Sequence, residues 1–458
     1  MPAVRAVALV AAVALAAGPA WPQPAPQNAG IPFIRDAEIE QLLRDYTTPI
    51  LRAAGLAGQN IEVVIINERT FNAFVMDGRR IFVNAGALFE STTPNQIIGV
   101  LAHETGHIAG GHLMKMRQEL ANAQTQMIIA MLLGIGAMVA GAKAGAGDGA
   151  GQIGMAALSA SPEMIRRSLL SYVRAQEEQA DKAGVKFLTA TGQSAKGMYD
   201  TFRRFADQTM FSVRYIDPYV QSHPMPAERV RALEEIAKTS PYWDKKDAPE
   251  LQQRHDMMRA KLAGFLDRPD TIARRYPASD TSLPARYARA ISAYRFSDMR
   301  GAVTQIDALI QAQPNNPYFH ELKGQALLES GRGPEAIAPL RRAASLAPHS
   351  NLIRAMLAQA LVSTNDPKHA DEAIAILRDV LIHEKELATG YRQLAMAYGR
   401  KGDVAQADLA SAQASFAAGD FKTARELAAR AKTRMPTGSP GWVKADDIAT
   451  YRPKPVRN

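Results

Sequence analysis

Two histidines and a glutamate fall within the short stretch Leu101 to His107, in the order His103-Glu104-x-x-His107. On a helix, residues four apart share a face, so both imidazoles can hold one metal ion while Glu104, just beside them, reaches a water on it. This is the H-E-x-x-H arrangement of a zinc hydrolase, with the glutamate as general base. The competing reading is a buried amphipathic helix whose histidines are hydrogen-bonded core groups. Two histidines leave a catalytic zinc short of one protein ligand. Gly110 fits the extended pattern H-E-x-x-H-x-x-G-x-x-H, but Leu113 stands where its last histidine belongs and His112 comes one residue early. His112 is therefore read as a packing or hydrogen-bonding residue. Glu177 is the better third ligand, because it lies on a predicted helix over residues 166–188 with Asp181 one turn on, placed to orient a ligating imidazole.

The elements that must position these groups are legible around them. Thr93-Pro94-Asn95-Gln96 reads as an N-cap, a proline at the first helical position and a glutamine closing a capping box, and Ile97, Ile98, Val100 and Leu101 then make an apolar stripe. Upstream, residues 34–54 predict a helix with Ile39, Leu42, Leu43 and Tyr46 on one face. Residues 61–66, 71–74 and 80–84 predict strands, the last two joined through Asp77-Gly78, and together a small antiparallel sheet. An exposed edge of that sheet would let an extended substrate add through main-chain hydrogen bonds. Downstream, Met127 to Ala142 is sixteen uncharged residues broken by Gly134 and Gly136, too short to read as a membrane span; a buried or interfacial hairpin fits, and contact with a lipid surface stays open. Gly149-Ala-Gly151-Gln-Ile-Gly154 fits G-x-G-x-x-G, yet no strand precedes it, which excludes a nucleotide site and leaves a mobile loop. Ser222-His223-Pro224 precedes another helix, and residues 235–275 predict helix without an assigned role.

The second half repeats. Gly324, Leu327, Ala336, Leu340, Ala343 and Pro348 match the helix-turn-helix spacing of a tetratricopeptide unit; the same offsets select Ala290 to Pro314 before it, and Ala358 to Val380 fits after it with three residues inserted. Two further sets, Ala395 to Ala414 and Gly419 to Pro436, stand closer than a full repeat and are expected to share a helix. About four stacked hairpins make a curved solenoid with a concave binding face. The fold class expected is mainly α with a small β-sheet, a zincin-like domain over 34–270 followed by repeats over 283–440 and a tail over 441–458. At the other end, Arg5, the apolar run Ala6 to Ala17 and Gly18-Pro19-Ala20 read as a secretory signal over 1–20, followed by a proline-rich tether over 21–33. The chain has no cysteine, so neither a disulfide nor a lipidated cysteine nor a thiolate ligand enters. Its net charge of +9 is spread along the chain, which fits a solvated basic surface rather than a nucleic-acid site.

The set His103-Glu104-x-x-His107, Glu177-x-x-Ala180-Asp181 and His223-Pro224 with Arg229 resembles the signature of the gluzincin family that includes the CAAX prenyl proteases and HtpX, and with the repeats it is most similar to periplasmic protease-chaperones of that family. The resemblance implies one Zn2+ held by His103, His107 and Glu177, with Glu104 as base and then acid, and Asp181 behind a ligating histidine. It further implies that His223 can take the fourth position as a latency switch. Asn72-Ala73-Phe74 and Val83-Asn84-Ala85-Gly86 resemble the substrate-side strand region, making Asn84 a candidate substrate contact. Arg229 is either a second such contact or the partner of a carboxylate. The function expected is periplasmic quality control of outer-membrane protein assembly, with misassembled outer-membrane proteins as substrates, the assembly machinery bound through the repeats and no nucleic acid. The other reading is a repeat-scaffold chaperone whose metal site is largely inactive.

Overall fold

The computed structural model describes residues 33–119, 121, 171–211, 218–296, 299–364 and 366–452. The stretch 1–20 read as a signal, the proline-rich residues up to 32, Met127 to Ala142, the glycine-rich stretch 145–154 and the last six residues lie outside the described residues.

A two-residue strand β1 (Phe33–Ile34) leads to α1 (Ala37–Ala53), which Asp36 starts by accepting a hydrogen bond from Ile39 N at 2.9 Å. Strands β2 (Glu62–Ile66), β3 (Ala73–Val75) and β4 (Arg80–Asn84) complete one sheet of order β1-β2-β4-β3. The antiparallel expectation needs correction here. β1 with β2 and β3 with β4 are antiparallel, but β2 pairs with β4 in parallel. The strands alternate in direction as in a meander, with β3 and β4 exchanged. Burial accounts for the exchange. Ile81, Phe82, Val83 and Asn84 are all buried, so β4 takes the interior place, and the three-residue β3 is left at the edge. The Asp77-Gly78 turn forms as read, Asp77 accepting from the amides of Arg79 and Arg80.

β4 runs into α2 (Ala85–Glu90) and then α3 (Pro94–Ala109), the helix of the histidine motif. Gln96 reaches back to accept from Thr92 N at 2.6 Å and Thr93 N at 3.4 Å, closing the first turn. Ile97, Ile98, Val100 and Leu101 are fully buried in a core shared with the sheet and α1. The helix α4 is described over residues 112–119, α5 over 171–190, and then α6 (Lys196–Phe211), α7 (Pro218–Ser222) and α8 (Ala227–Lys238) follow. Met198, Phe202 and Phe205 of α6 close the core from the side of α3.

The stretch without an assigned role supplies α9 (Pro249–Leu266) and α10 (Pro269–Arg275), and α9 is the joint of the molecule. Its Met258 and Leu262 enter the first core, while Met257 packs with Tyr287 and Ile291 of the next. At the same joint Lys261 is buried between Asp36 at 2.8 Å, Glu38 at 3.3 Å and Glu321 at 3.7 Å. The repeats follow as helix pairs: α11 (Leu283–Phe296) with α12 (Met299–Ala312), α13 (Pro317–Glu329) with α14 (Gly333–Leu346), α15 (Asn351–Ser363) with α16 (Pro367–His383), and α17 (Ala388–Arg400) with α18 (Val404–Ala417). α18 packs on both α17 and α19 (Phe421–Lys432), which is the shared helix the close spacing implied. The stretch expected as a tail opens with a further helix, α20 (Pro440–Thr450), because Ser439 caps it and Ala445 is buried against Leu409 and Ala431. No helix among the described residues is long and apolar enough to cross a membrane.

Candidate metal centre

His103 and His107 point from one face of α3 toward α5, where Glu177 and Asp181 also stand one turn apart. The two helices approach closely because of two small residues. A Cβ on Gly106 would lie 2.8 Å from the carbonyl oxygen of Ala180, so even alanine there would push them apart. His103 Nε2 and His107 Nε2 are 3.0 Å apart. Each lies 3.4 Å from one oxygen of Glu177. The short helix α7 delivers His223, whose Nδ1 is 3.1 Å from Glu177 Oε2 and 3.4 Å from His103 Nε2. One donor atom from each of the four residues falls within 4.8 Å of all the others.

Those separations are what a tetrahedral cation requires. With metal–nitrogen bonds of about 2.0–2.1 Å, donor atoms at tetrahedral corners stand about 3.3 Å apart. Three nitrogens and a carboxylate make a donor set suited to a divalent ion. The second observation is Glu104. It is fully buried, 0% exposed, with no hydrogen-bond donor on either carboxylate oxygen among the described residues, and its Oε1 lies 3.5 Å from His223 Nε2. Such a carboxylate is costly unless something polar enters beside it. The residues therefore fit a metal with a polar reactant at Glu104.

The electrostatics around the donors are set by Asp181 and Arg229. Asp181 Oδ1 lies 2.9 Å from His103 Nδ1 as an ion pair, on the side of the ring away from the other donors. Arg229 grips Asp181 through Nε at 2.7 Å and Nη2 at 2.8 Å, and its Nη1 reaches Glu177 at 2.8 Å. Burial works against a charged His103, but Asp181 and Glu177 outweigh it and hold its pKa up to about 9. Burial would raise Glu177, but His223, His103 and Arg229 keep it well below the usual carboxylate range. For Glu104 burial prevails over His223 and His103, and its pKa is raised. His107 goes the other way, pushed down by burial and by His103.

The peptidase family M48 model matches residues 34–237, and a tetratricopeptide-repeat model matches residues 287–351. The first part of this chain is an M48 peptidase domain. The beta-barrel assembly-enhancing protease of Escherichia coli (strain K12) is 23% identical over 424 residues, 89% of this chain and 82% of that protein. Protease HtpX of Chromohalobacter salexigens is 29% identical over 222 residues, 43% of this chain and 72% of that protein. Metalloprotease LoiP of Escherichia coli (strain K12) is 29% identical over 196 residues, 41% of this chain and 69% of that protein. The chain is a metalloprotease with an M48 domain followed by tetratricopeptide repeats.

Within the M48 domain the structure brings together His103, Glu104, His107, Glu177, Asp181, His223 and Arg229, and leaves Asn84 out. Asn84 is buried at the end of β4, where its amide donates to Thr70 O and Thr70 Oγ1, both at 3.2 Å, and so holds the crossover from β2 to β3. A substrate finds that amide already engaged. Arg229 was open between a substrate contact and a carboxylate partner. At 6% exposure, with its donors on two carboxylates and on Pro224 O, it answers to the second description. His112, read from the sequence as a packing or hydrogen-bonding residue, has a partner that the sequence did not name. Its Nδ1 lies 3.0 Å from His107 Nδ1, standing to His107 as Asp181 stands to His103. The signal was the pair Gly110-Gly111. Gly111 turns the chain back at φ +63°, and a side chain on Gly110 would collide with the His112 ring.

Proposed function

We propose that this chain is a zinc-dependent endopeptidase and chaperone of the periplasm that acts in quality control of outer-membrane protein assembly and degrades misassembled clients. The observation that carries the chemical part is the convergence of His103, His107, Glu177 and His223 donor atoms beside the buried, donor-free Glu104. Three nitrogens and one carboxylate oxygen at tetrahedral separations favour Zn2+ over the hard, oxygen-seeking cations. When bound, the metal supplies a Lewis acid that stabilises negative charge on the scissile carbonyl oxygen. The rest falls to the chain. Glu104, its pKa raised by burial toward the working range of a general base, takes a proton from the attacking water and returns it to the leaving amine. Asp181, clamped by Arg229, stands behind the imidazole of His103, and β3, an edge strand of the described sheet, offers main-chain groups to an extended substrate.

His223 is the fourth donor and, in this reading, a latency switch. Its Nδ1 lies 3.1 Å from Glu177 and its Nε2 faces Glu104, so it stands where the reacting water must enter. Cleavage requires its withdrawal with α7. The same observation favours the second reading, a repeat-scaffold chaperone whose site is capped and rarely cuts. The placement in outer-membrane assembly, with the assembly machinery bound through the repeats, rests on likeness to the beta-barrel assembly-enhancing protease, and export on the signal-like residues 1–20. The division into a protease part over 34–270 and repeats over 283–440 belongs to the same proposal. Two measurements test it. The purified protein should carry one zinc per chain after dialysis, and material without a transition metal would overturn the mechanism. Glu104→Gln should abolish cleavage of an unfolded polypeptide and retain its binding; a variant that restores every defect of a deletion strain would leave the capped-chaperone reading standing.

A further inference from the structure

Three glutamines, Gln325, Gln359 and Gln393, recur at intervals of 34 residues, the length of one tetratricopeptide unit. They occupy the same position on the first helices of three successive repeats, α13, α15 and α17, and all three line one cavity of about 570 Å³. The helices pack on one another in that order. The side chains of Gln359 and Gln393 make no hydrogen bond to any described residue, while the Gln325 amide donates to Glu329 at 2.9 Å and also meets the Tyr294 hydroxyl. Nothing in the solenoid's own core needs these amides. Ala336, Leu340, Ala358, Ala373 and their neighbours supply that core.

We propose that Gln325, Gln359 and Gln393 form an amide ladder that holds the main chain of an extended, unfolded polypeptide along this cavity, without reading its sequence. A carboxamide carries one acceptor and two donors, which complements the C=O and N–H of a peptide group. The spacing agrees. Packed helices stand about 8–10 Å apart, and an extended chain advances about 3.3 Å per residue, so successive glutamines meet every third residue. The other lining groups argue against a charged motif. Basic Arg35, Lys261 and Arg295 are matched by acidic Asp36, Glu321 and Glu329. Arg35 is already bound to Glu40 and Glu384, and Lys261 to Asp36. Beside the ladder Met356, an unbranched and adaptable side chain, meets whatever side chains the occupant carries. The inference rests on the chaperone part of the proposed function and assigns the holding of clients to the repeats.

The test uses the full exported chain carrying Glu104→Gln, so that nothing is cut, and measures fluorescence anisotropy of labelled probes. The probes are reduced, carboxymethylated lactalbumin, a neutral nine-residue peptide, its scrambled sequences, and the same peptide with alternate backbone nitrogens methylated. Binding of the peptide and its scrambles with similar affinity, a loss of about tenfold or more on backbone methylation, and a like loss in Q325A/Q359A/Q393A with an unaltered thermal melt support the ladder. Each lost hydrogen bond accounts for roughly threefold to tenfold. Undiminished binding of the methylated peptide overturns it even if the triple variant fails to fold. Affinity that follows sequence or a terminal carboxylate also overturns it while sparing the client reading. Failure of the unaltered ladder to bind lactalbumin at all sinks the client reading itself.

Discussion

The metal centre and the repeats bury side chains by opposite strategies. At the centre, charged and polar groups from α3, α5, α7 and α8 are brought together from positions as far apart as His103 and Arg229, and they share partners, Glu177 and Asp181 above all. In the repeats, alanines and leucines at recurring positions are buried against helices next to them in sequence. The first arrangement has no spare parts, because removing one member strands another inside the protein. The second spreads its stabilisation over many equivalent contacts, so a loss stays local. Catalysis needs the first kind, and the display of a long surface needs the second.

That contrast can be broken by substitution. The largest effect is expected from Glu104→Gln, which keeps shape and removes the proton acceptor. Turnover should fall by roughly a thousandfold or more with the metal content unchanged, since acid–base catalysis supplies factors of about 10²–10⁴ and here one group serves both steps. Retained turnover would move the base elsewhere. Arg229→Ala should come next. It leaves Asp181 and Glu177 as buried carboxylates without their cation, and a cost of roughly 3–5 kcal/mol in denaturant unfolding of metal-free protein is expected. In the repeats, Leu340→Ala empties a fully buried site beside Gly324 and should cost roughly 3 kcal/mol. Cleavage of a short peptide should be unaffected there, whereas Arg229→Ala should impair it; equal damage to cleavage would erase the distinction.

The joint between the two regions titrates. His255 on α9 is buried, its Nδ1 3.0 Å from the Tyr46 hydroxyl and its Nε2 2.7 Å from Ser91 O. Burial lowers its pKa from 6.5 to about 4. The unfolded chain therefore binds a proton between those values that the folded chain refuses. Its contribution is complete above pH 6.5 and is lost as pH falls to about 4, amounting to roughly 3 kcal/mol. His255→Gln should flatten that part of a stability-against-pH curve, and an unchanged slope would assign the loss to other groups. The smallest effect is expected at the exposed pair Arg332 and Glu335 on α14, where Glu335→Gln should leave the melting temperature unchanged within error.

Much of this was legible because it is local. The capping box before α3, the turn at Asp77-Gly78 and the recurring alanines of the repeats are each decided by residues within one or two turns of one another. The strand order was not, because a meander and the observed arrangement give every residue the same local conformation. Only the total burial available to β4 separates them. The partner of His112 was not legible for a related reason: it depends on where a two-glycine turn sends the chain.

By itself the amino-acid sequence determined which residues can do chemistry, the helices and turns that carry them, and the period of the repeats, since those depend on side-chain type and on spacings of a few residues. The tertiary structure alone decided that Arg229 faces inward onto Asp181 and Glu177, that the Asn84 amide donates to Thr70 at the crossover, and that α9 belongs to both cores. Those outcomes follow from competition among all buried surfaces and charges at once, a sum over the whole molecule that no short stretch of residues encodes.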